Sequence, residues 1–306
     1  MGNTYEVIIV GGGPAGLTAG LYASRARLRT LLIEKGIFGG QIANAAHVEN
    51  YPGFPDGISG LELGELMHRQ ATEYGLETVA AEVYGIALAM GGTVIETTEG
   101  DYLANAVIIA TGAEFNRLGV PGEERLTGKG VSYCATCDGP FFKDRVVAVV
   151  GGGDSAVEEG ILLTRFASEV ILIHRRDQLR ASRLLQERAF ANKKMAFLWD
   201  TVVEEILGDE RVTGLRVRHV KIGESSTLDA SAAFIYVGQR PNTDYLRGLI
   251  PLDEAGCIPT NERMETEIKG IFAAGDIRKN SSRQAITAAG DGATAAISAE
   301  KFLIQQ

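Results

Sequence analysis

Val7-Ile8-Ile9-Val10-Gly11-Gly12-Gly13-Pro14-Ala15-Gly16 decides the fold, and it has a twin. The twin is Val146-Val147-Ala148-Val149-Val150-Gly151-Gly152-Gly153-Asp154-Ser155-Ala156. Each begins with a short β-branched run, which reads as a strand. A G-x-G-x-x-G/A loop follows, and then a helical pattern: Leu17 to Ala23 in the first copy, Val157 to Leu163 in the second. The first glycine of such a loop makes a tight turn. The second lets the backbone approach a pyrophosphate, and the third lets the helix pack closely on the strand. The pyrophosphate then meets a helix N-terminus, where free N–H groups and the dipole favour an anion. This sets Gly11, Gly13, Pro14, Ala15 and Gly16 at one nucleotide site, and Gly151, Gly153, Asp154, Ser155 and Ala156 at another.

The residue that ends the next strand separates the two sites. Glu34 lies 34 − 13 = 21 positions beyond the middle glycine of the first motif, and His174 lies 174 − 153 = 21 positions beyond that of the second. A carboxylate at this point bonds ribose hydroxyls, whereas basic residues accommodate a 2′-phosphate. His174-Arg175-Arg176, with Arg180 expected one helical turn later, suits a phosphate dianion. The first site therefore reads as one for FAD or NAD, and the second as one for NADPH.

The chain has 306 residues, 45% of them hydrophobic, which is enough for two domains with cores of their own. A net charge of −9 and the lack of a basic stripe argue against a nucleic-acid binder. No apolar run approaches membrane-spanning length, and the first residues enter a strand directly, so the expectation is a cytoplasmic protein. Ala104 to Gly112 reads as a buried strand closing the first unit, and alternating strand and helix patterns continue to Gly238. Gly270 to Asp276 is a further buried strand, and an Ala-rich helix from about Gln284 ends the chain. That last strand–helix pair has no sheet of its own, so it is assigned to the first domain. The fold class is α/β, with two Rossmann-like, three-layer domains: residues 1–113 with 243–306 binding the first nucleotide, and an inserted 114–242 binding the second. Short, glycine-bearing crossings near Gly112 and Gly238–Pro241 are expected to act as a hinge.

Cys134-Ala135-Thr136-Cys137-Asp138 lies just upstream of the second motif. Zinc would need further ligands, and Cys257, His47, His68, His174 and His219 show no ligand spacing. A redox pair fits better. C-x-x-C closes a small loop that opens and shuts readily, with one thiolate lowered in pKa. Asp138 adjoins the pair and is the candidate acid–base group. Cys257 reads as packing in a turn.

These residues resemble the low-molecular-weight, bacterial-type thioredoxin reductases, class II of the pyridine nucleotide-disulfide oxidoreductases. The likeness runs through the first motif, Glu34-Lys35-Gly36, Gly39-Gly40-Gln41, Val48 to Gly53, Ala110-Thr111-Gly112, Cys134 to Asp138, His174-Arg175-Arg176, Gly275-Asp276 and Arg283-Gln284-Ala285. It implies FAD at the first site. Gly39, Gly40, Gln41 and Asn50 would line the flavin, and Lys35 would stand beside Glu34. Ala110, Thr111 and Gly112 would pass beneath the FAD, and Gly275 and Asp276 would hold the ribityl chain. Arg283, Gln284 and Ala285 would set a helix N-terminus at the flavin's pyrimidine edge, where reduction builds negative charge. The resemblance also implies NADPH-dependent reduction of thioredoxin or a thioredoxin-like protein through Cys134 and Cys137, docking at Phe141 and Phe142, and a homodimer. Alternatives of the same fold take electrons from a ferredoxin or pass them from dithiols to oxygen; the basic cluster argues against both. A non-catalytic nucleotide sensor would not need the C-x-x-C.

Overall fold

The computed structural model describes residues 3–45, 48, 50–246 and 248–305; the side chains of Asn44 and Cys137 lie outside the described set, as do Met1, Gly2, His47 and Glu49. The chain divides into two compact units, Met1–Glu114 with Arg240–Gln306, and Phe115–Gln239. The divisions fall at 114/115 and 239/240, against the expected 113/114 and 242/243. Residues Ala113–Phe115 (β7) and Gln239–Pro241 (β16) form a two-stranded ribbon where the chain crosses.

The first unit is built on a seven-stranded sheet. β1 (Thr4–Val10) pairs in parallel with β2 (Thr30–Glu34) and with β6 (Gly100–Ile109); β2 pairs in parallel with β3 (Glu77–Ala80). A hairpin of β4 (Val83–Ala89) and β5 (Gly92–Thr97) joins β6 antiparallel. The late strand β17 (Ile271–Ala273) pairs in parallel with β6, so the C-terminal segment does complete the first sheet. Strand side chains alternate between faces. Val7 and Ile9 pack with α1 (Pro14–Arg25) and α6 (Ala285–Ile304) through Leu17, Ala19, Ala23, Ala295, Ala296 and Ala299. The alanines let the two helices approach closely, which accounts for the Ala-rich tail. Ile8 and Val10 face Ile86 and Ile95 of the hairpin and Leu246, Ile250 and Ile258. A further helix, α2 (Gly60–Glu73), is N-capped by Ser59, whose side chain accepts from the Glu62 N–H at 3.1 Å.

The second unit repeats the plan. Its parallel sheet runs β11 (Met195–Leu198), β10 (Glu169–Ile173), β9 (Val146–Gly151), β15 (Ala233–Tyr236), β8 (Val131–Ser132). Val147 and Val149 pack on α4 (Asp154–Leu163) and α5 (Arg183–Ala191) through Val157, Leu163 and Ala189. Ala148 and Val150 face Val203, Ile206, Leu215 and Val217. Those four belong to an antiparallel sheet of β12 (Thr201–Leu207), β13 (Gly214–His219) and β14 (Ser225–Asp229). The sequence suggested strand–helix alternation here. Only one face of this small sheet is buried, so its apolar signal is too sparse to read as three strands. Among the described residues, no helix is long and apolar enough to cross a membrane.

Candidate active site

The first motif forms a cradle at the end of β1. Pro14 opens α1 behind Gly13, and no side chain caps the helix, so its leading N–H groups are open to a ligand. A Cβ on Gly16 would lie 1.8 Å from the Gly11 carbonyl oxygen, so only glycine lets α1 start this close. Glu34 braces the loop: Oε2 accepts from the Gly12 N–H at 2.6 Å and Oε1 from the Gly36 N–H at 2.7 Å. Each oxygen keeps a lone pair for ribose hydroxyls. A cavity of about 310 Å³ opens there, lined by Gly11, Glu34, Lys35, Glu82, Thr111 and Tyr245 among others. Glu82, which pairs with Lys35 at 3.5 Å, and Tyr245 were not singled out in the sequence.

The remaining residues expected around a flavin form a connected frame in the same unit. The Gly39 N–H donates to the Gly12 carbonyl at 2.8 Å, and Gly40 begins a 3₁₀ turn that carries Gln41. Gln41 Nε2 donates to the Ala113 carbonyl at 3.4 Å, and Asn50 Nδ2 donates to Gln284 Oε1 at 3.1 Å. Ala110 follows β6, and the next two residues are fastened by Asn242. Its Nδ2 donates to the Thr111 carbonyl at 2.8 Å, its N–H donates to the Gly112 carbonyl at 3.0 Å, and its own carbonyl accepts from Thr111 Oγ1 at 3.0 Å. Asp276 lies in a 3₁₀ turn, Gly275–Ile277, and accepts from Ser281 Oγ at 2.8 Å; burial pushes its carboxyl above the usual range. Arg283 and Gln284 lead into α6 at Ala285, again with no side-chain cap on the helix. Asp291 of α6 accepts from the Gly275 N–H at 3.1 Å and from Arg278 Nε and Nη2 at 2.5 and 2.9 Å. This bidentate pair fixes the turn that carries Asp276. Asn242, Arg278 and Asp291 carry no motif signal, because their partners are distant in sequence or ordinary in composition.

The second motif has a corresponding cavity of about 320 Å³, lined by Gly152, His174, Arg175, Arg180, Arg117 and Tyr236 among others. Gly153 precedes α4, Ser155 is exposed in its first turn, and Ala156 is buried. Asp154 Oδ1 accepts from the Ser182 N–H at 2.6 Å. A Cβ on Gly152 would come within 2.3 Å of the His174 ring, so this glycine makes room for the imidazole. His174 is 4% exposed and its Nε2 has no hydrogen-bond partner. Burial holds it below the ordinary histidine value, and Arg180, Arg176 and Arg175 push it the same way. The positive charge of the cluster is therefore carried by the three exposed arginines. No helix joins Arg176 to Arg180, contrary to the expected helical turn. A loop carries Arg180, and its N–H donates to the Gly152 carbonyl at 2.7 Å. Arg117 joins the lining from outside the motif.

The C-x-x-C runs from Cys134, just before α3 (Ala135–Asp138), into that helix, in the same unit as the second motif. Cys134 is held in a disulfide, while the Cys137 side chain lies outside the described residues. Ser132 fixes the approach: its Oγ accepts from the Cys134 N–H at 3.1 Å and donates to the Cys134 carbonyl at 3.2 Å. The Asp138 N–H closes the turn on the Cys134 carbonyl at 3.1 Å. The Ala135 N–H donates at 2.7 Å to the hydroxyl of Tyr236, which ends β15. Phe141 is 75% exposed. Phe142 turns inward and packs edge-on against Phe234, with ring centroids 5.8 Å apart. Both line a groove of about 540 Å³ with Lys129, Asp138, Arg145 and Arg211.

The family model described as pyridine nucleotide-disulphide oxidoreductase matches residues 5–292. Thioredoxin reductase of Bacillus subtilis is 50% identical over 300 residues, which is 98% of this chain and 95% of that one. This chain belongs to the thioredoxin reductase family. Among members of that family, the Streptomyces coelicolor protein is 47% identical over 99% of this chain and 95% of its own length. The Streptococcus pyogenes thioredoxin reductase structure has a TM-score of 0.83 at 46% identity, covering all of both chains. That of Lactococcus lactis thioredoxin reductase, in the FR conformation, has a TM-score of 0.80 at 45% identity, covering 99% of this chain and 100% of that one.

Proposed function

We propose that this chain is an FAD-dependent, NADPH-oxidising thioredoxin-disulfide reductase that works as a cytoplasmic homodimer. The observation that carries the reading is the shared location of two features. The C-x-x-C helix and the arginine-lined nucleotide cavity belong to one unit, and the Tyr236 hydroxyl bonds the former while its residue lines the latter. Bound FAD would supply two-electron transfer between a nicotinamide and a disulfide. The residues present fit both groups. The Gly11–Gly16 cradle, Glu34 and the open N-terminus of α1 suit the adenosine and pyrophosphate of FAD. Gln41, Asn50, Thr111, Asp276 and Gln284 would orient its flavin. Arg175, Arg176 and Arg180 would hold the 2′-phosphate of NADPH, with His174 as a neutral neighbour. Cys134 and Cys137 would exchange with the disulfide of a thioredoxin, one thiolate attacking to form a mixed disulfide and the second thiol releasing the product. Asp138 would give and take the proton. Phe141, with Lys129 and Arg145 along the same groove, would receive the partner protein.

Anaerobic stopped-flow mixing tests this reading. The flavin absorbance of the purified protein should bleach rapidly with NADPH and recover on addition of oxidised thioredoxin. A flavin that NADPH leaves unbleached, or that recovers no faster with thioredoxin than without it, would overturn it.

A further inference from the structure

One carboxyl near the dithiol helix has no part in the chemistry above. Glu159 lies in the second turn of α4, which packs on α3. Its Oε2 is sealed from solvent and has no hydrogen-bond partner. A carboxylate oxygen in that setting strongly favours the protonated form. The nearest ionisable neighbour on its own helix is Glu158, which adds a like charge. From β15 comes Tyr236, whose hydroxyl is raised by burial first, and then by the charges of Glu159 and Asp138. Tyr236 thus links the carboxyl electrostatically to the helix whose Ala135 N–H it accepts. Among the described residues of the other elements packed on α4, β9 has no ionisable group. Glu169 of β10 and Arg183, Glu187 and Arg188 of α5 are exposed. No cation faces the site from these elements.

We propose that Glu159 is a proton-holding group of the dithiol site. With Asp138 passing the proton, it takes up the one that a thiol of the Cys134/Cys137 pair releases on becoming a thiolate, and gives it back when the thiol re-forms. The balance is closed: Cys–SH and Glu–COO⁻ become Cys–S⁻ and Glu–COOH, with one negative charge in the cluster before and after. A carboxylate on α4 and a thiolate at α3, which packs on it, carry like charges that repel, so the carboxyl and the thiol titrate as a pair. Burial, with Glu158 beside it, pushes Glu159 up to about 7, which sets the exchange within the physiological range. Glu159 acts through its charge and its proton; it is a positioning residue.

The inference rests on Cys134 and Cys137 being the exchanging pair. The test is iodoacetamide alkylation of the reduced holoenzyme across pH, in a Cys257→Ser background so that only the pair reports. With Glu159 present, the rate should rise in a broad, two-step curve. With Glu159→Gln it should collapse to one step, at a midpoint about half to one pKa unit lower, so that alkylation at pH 7 is roughly three- to tenfold faster. Glu159→Met, which removes the buried carboxyl without replacing it by another polar group, should behave as the glutamine variant does and serves if that one folds poorly. A purely structural role would change the rate by one factor at every pH. Superimposable curves with and without the carboxyl would overturn the proposal. Failure of NADPH to expose any alkylatable thiol in the Cys257→Ser protein would instead remove the cysteine assignment, and the inference with it.

Discussion

The opposed residues at Glu34 and His174 illustrate how much chemistry single positions carry. Glu34 was legible because its offset from the glycines is fixed by one strand–helix–strand unit, and the structure adds that the carboxylate braces the Gly12 and Gly36 N–H groups. His174 was read as part of a cationic cluster. Its ring is in fact buried against Gly152 and held neutral, a consequence of packing that spacing alone does not reveal. The 2′-phosphate would then be held by arginines. Neutralising Arg175 and Arg176 together should erase most of an NADPH-over-NADH preference of at least roughly tenfold in kcat/KM, since each charge-assisted contact is worth about 1.5–3 kcal/mol. Steady-state kinetics with both nucleotides measures it, and equal use of NADH by the unmodified protein would refute the assignment. Glu159 makes a prediction about stability as well. Its folded-state value is raised from 4.5 to about 7, so the folded chain binds the proton more tightly than the unfolded chain does. Stability is thus untouched below the unfolded value and declines as pH rises toward and past the folded one. Urea denaturation at about pH 5 and about pH 8 should show Glu159→Gln gaining on the unmodified protein at the higher pH. A constant difference would contradict the assigned burial.

At the scale of elements, the strand–glycine–helix units were readable because each is a local pattern of β-branched residues, glycines and apolar helix positions. Elimination assigns the C-terminal strand to the first domain, and β17 lies beside β6. The β4–β5 hairpin and the β12–β14 sheet were not foreseen. Each buries one face only, Leu88 of β4 stands exposed, and exposed Met90 and Ile222 continue the apolar signal into the turns, which blurs the alternation. The ties that hold site loops to elements were also invisible, since Arg278 and Asp291 meet only after α6 docks. The side chains of this pair are 18% and 9% exposed. Removing one partner strands the other's charge, so Arg278→Ala should cost about 3 kcal/mol or more in chemical denaturation, compared with less than about 1 kcal/mol for an exposed pair such as Lys35–Glu82. Because Asp291 also accepts from the Gly275 N–H beside Asp276, the same variant should lose FAD more readily on dialysis. Unchanged stability and flavin retention would show that the pair does not set this turn.

Across the whole molecule, Gly11–Gly16 lies in the discontinuous unit, while Gly151–Ala156 shares the inserted unit with Cys134 and Cys137. On the proposed route, a flavin in the first unit would be served by two different groups of the second, a nicotinamide and a disulfide. If both use the same part of the flavin ring, they must take turns, and the ribbon of β7 and β16 is where the chain would flex. A crosslink that fixes the dithiol against the flavin should block reduction by NADPH while FAD stays bound; full-rate reduction in the locked protein would make the alternation unnecessary. The central claim is the route itself, from NADPH through flavin to Cys134 and Cys137 and on to a protein disulfide. Replacing Cys134 by serine tests it most directly, with flavin bleaching and thioredoxin reduction followed in the same anaerobic experiment. The account predicts that NADPH still bleaches the flavin and that thioredoxin reduction is lost; normal thioredoxin reduction by the Cys134→Ser protein would contradict it.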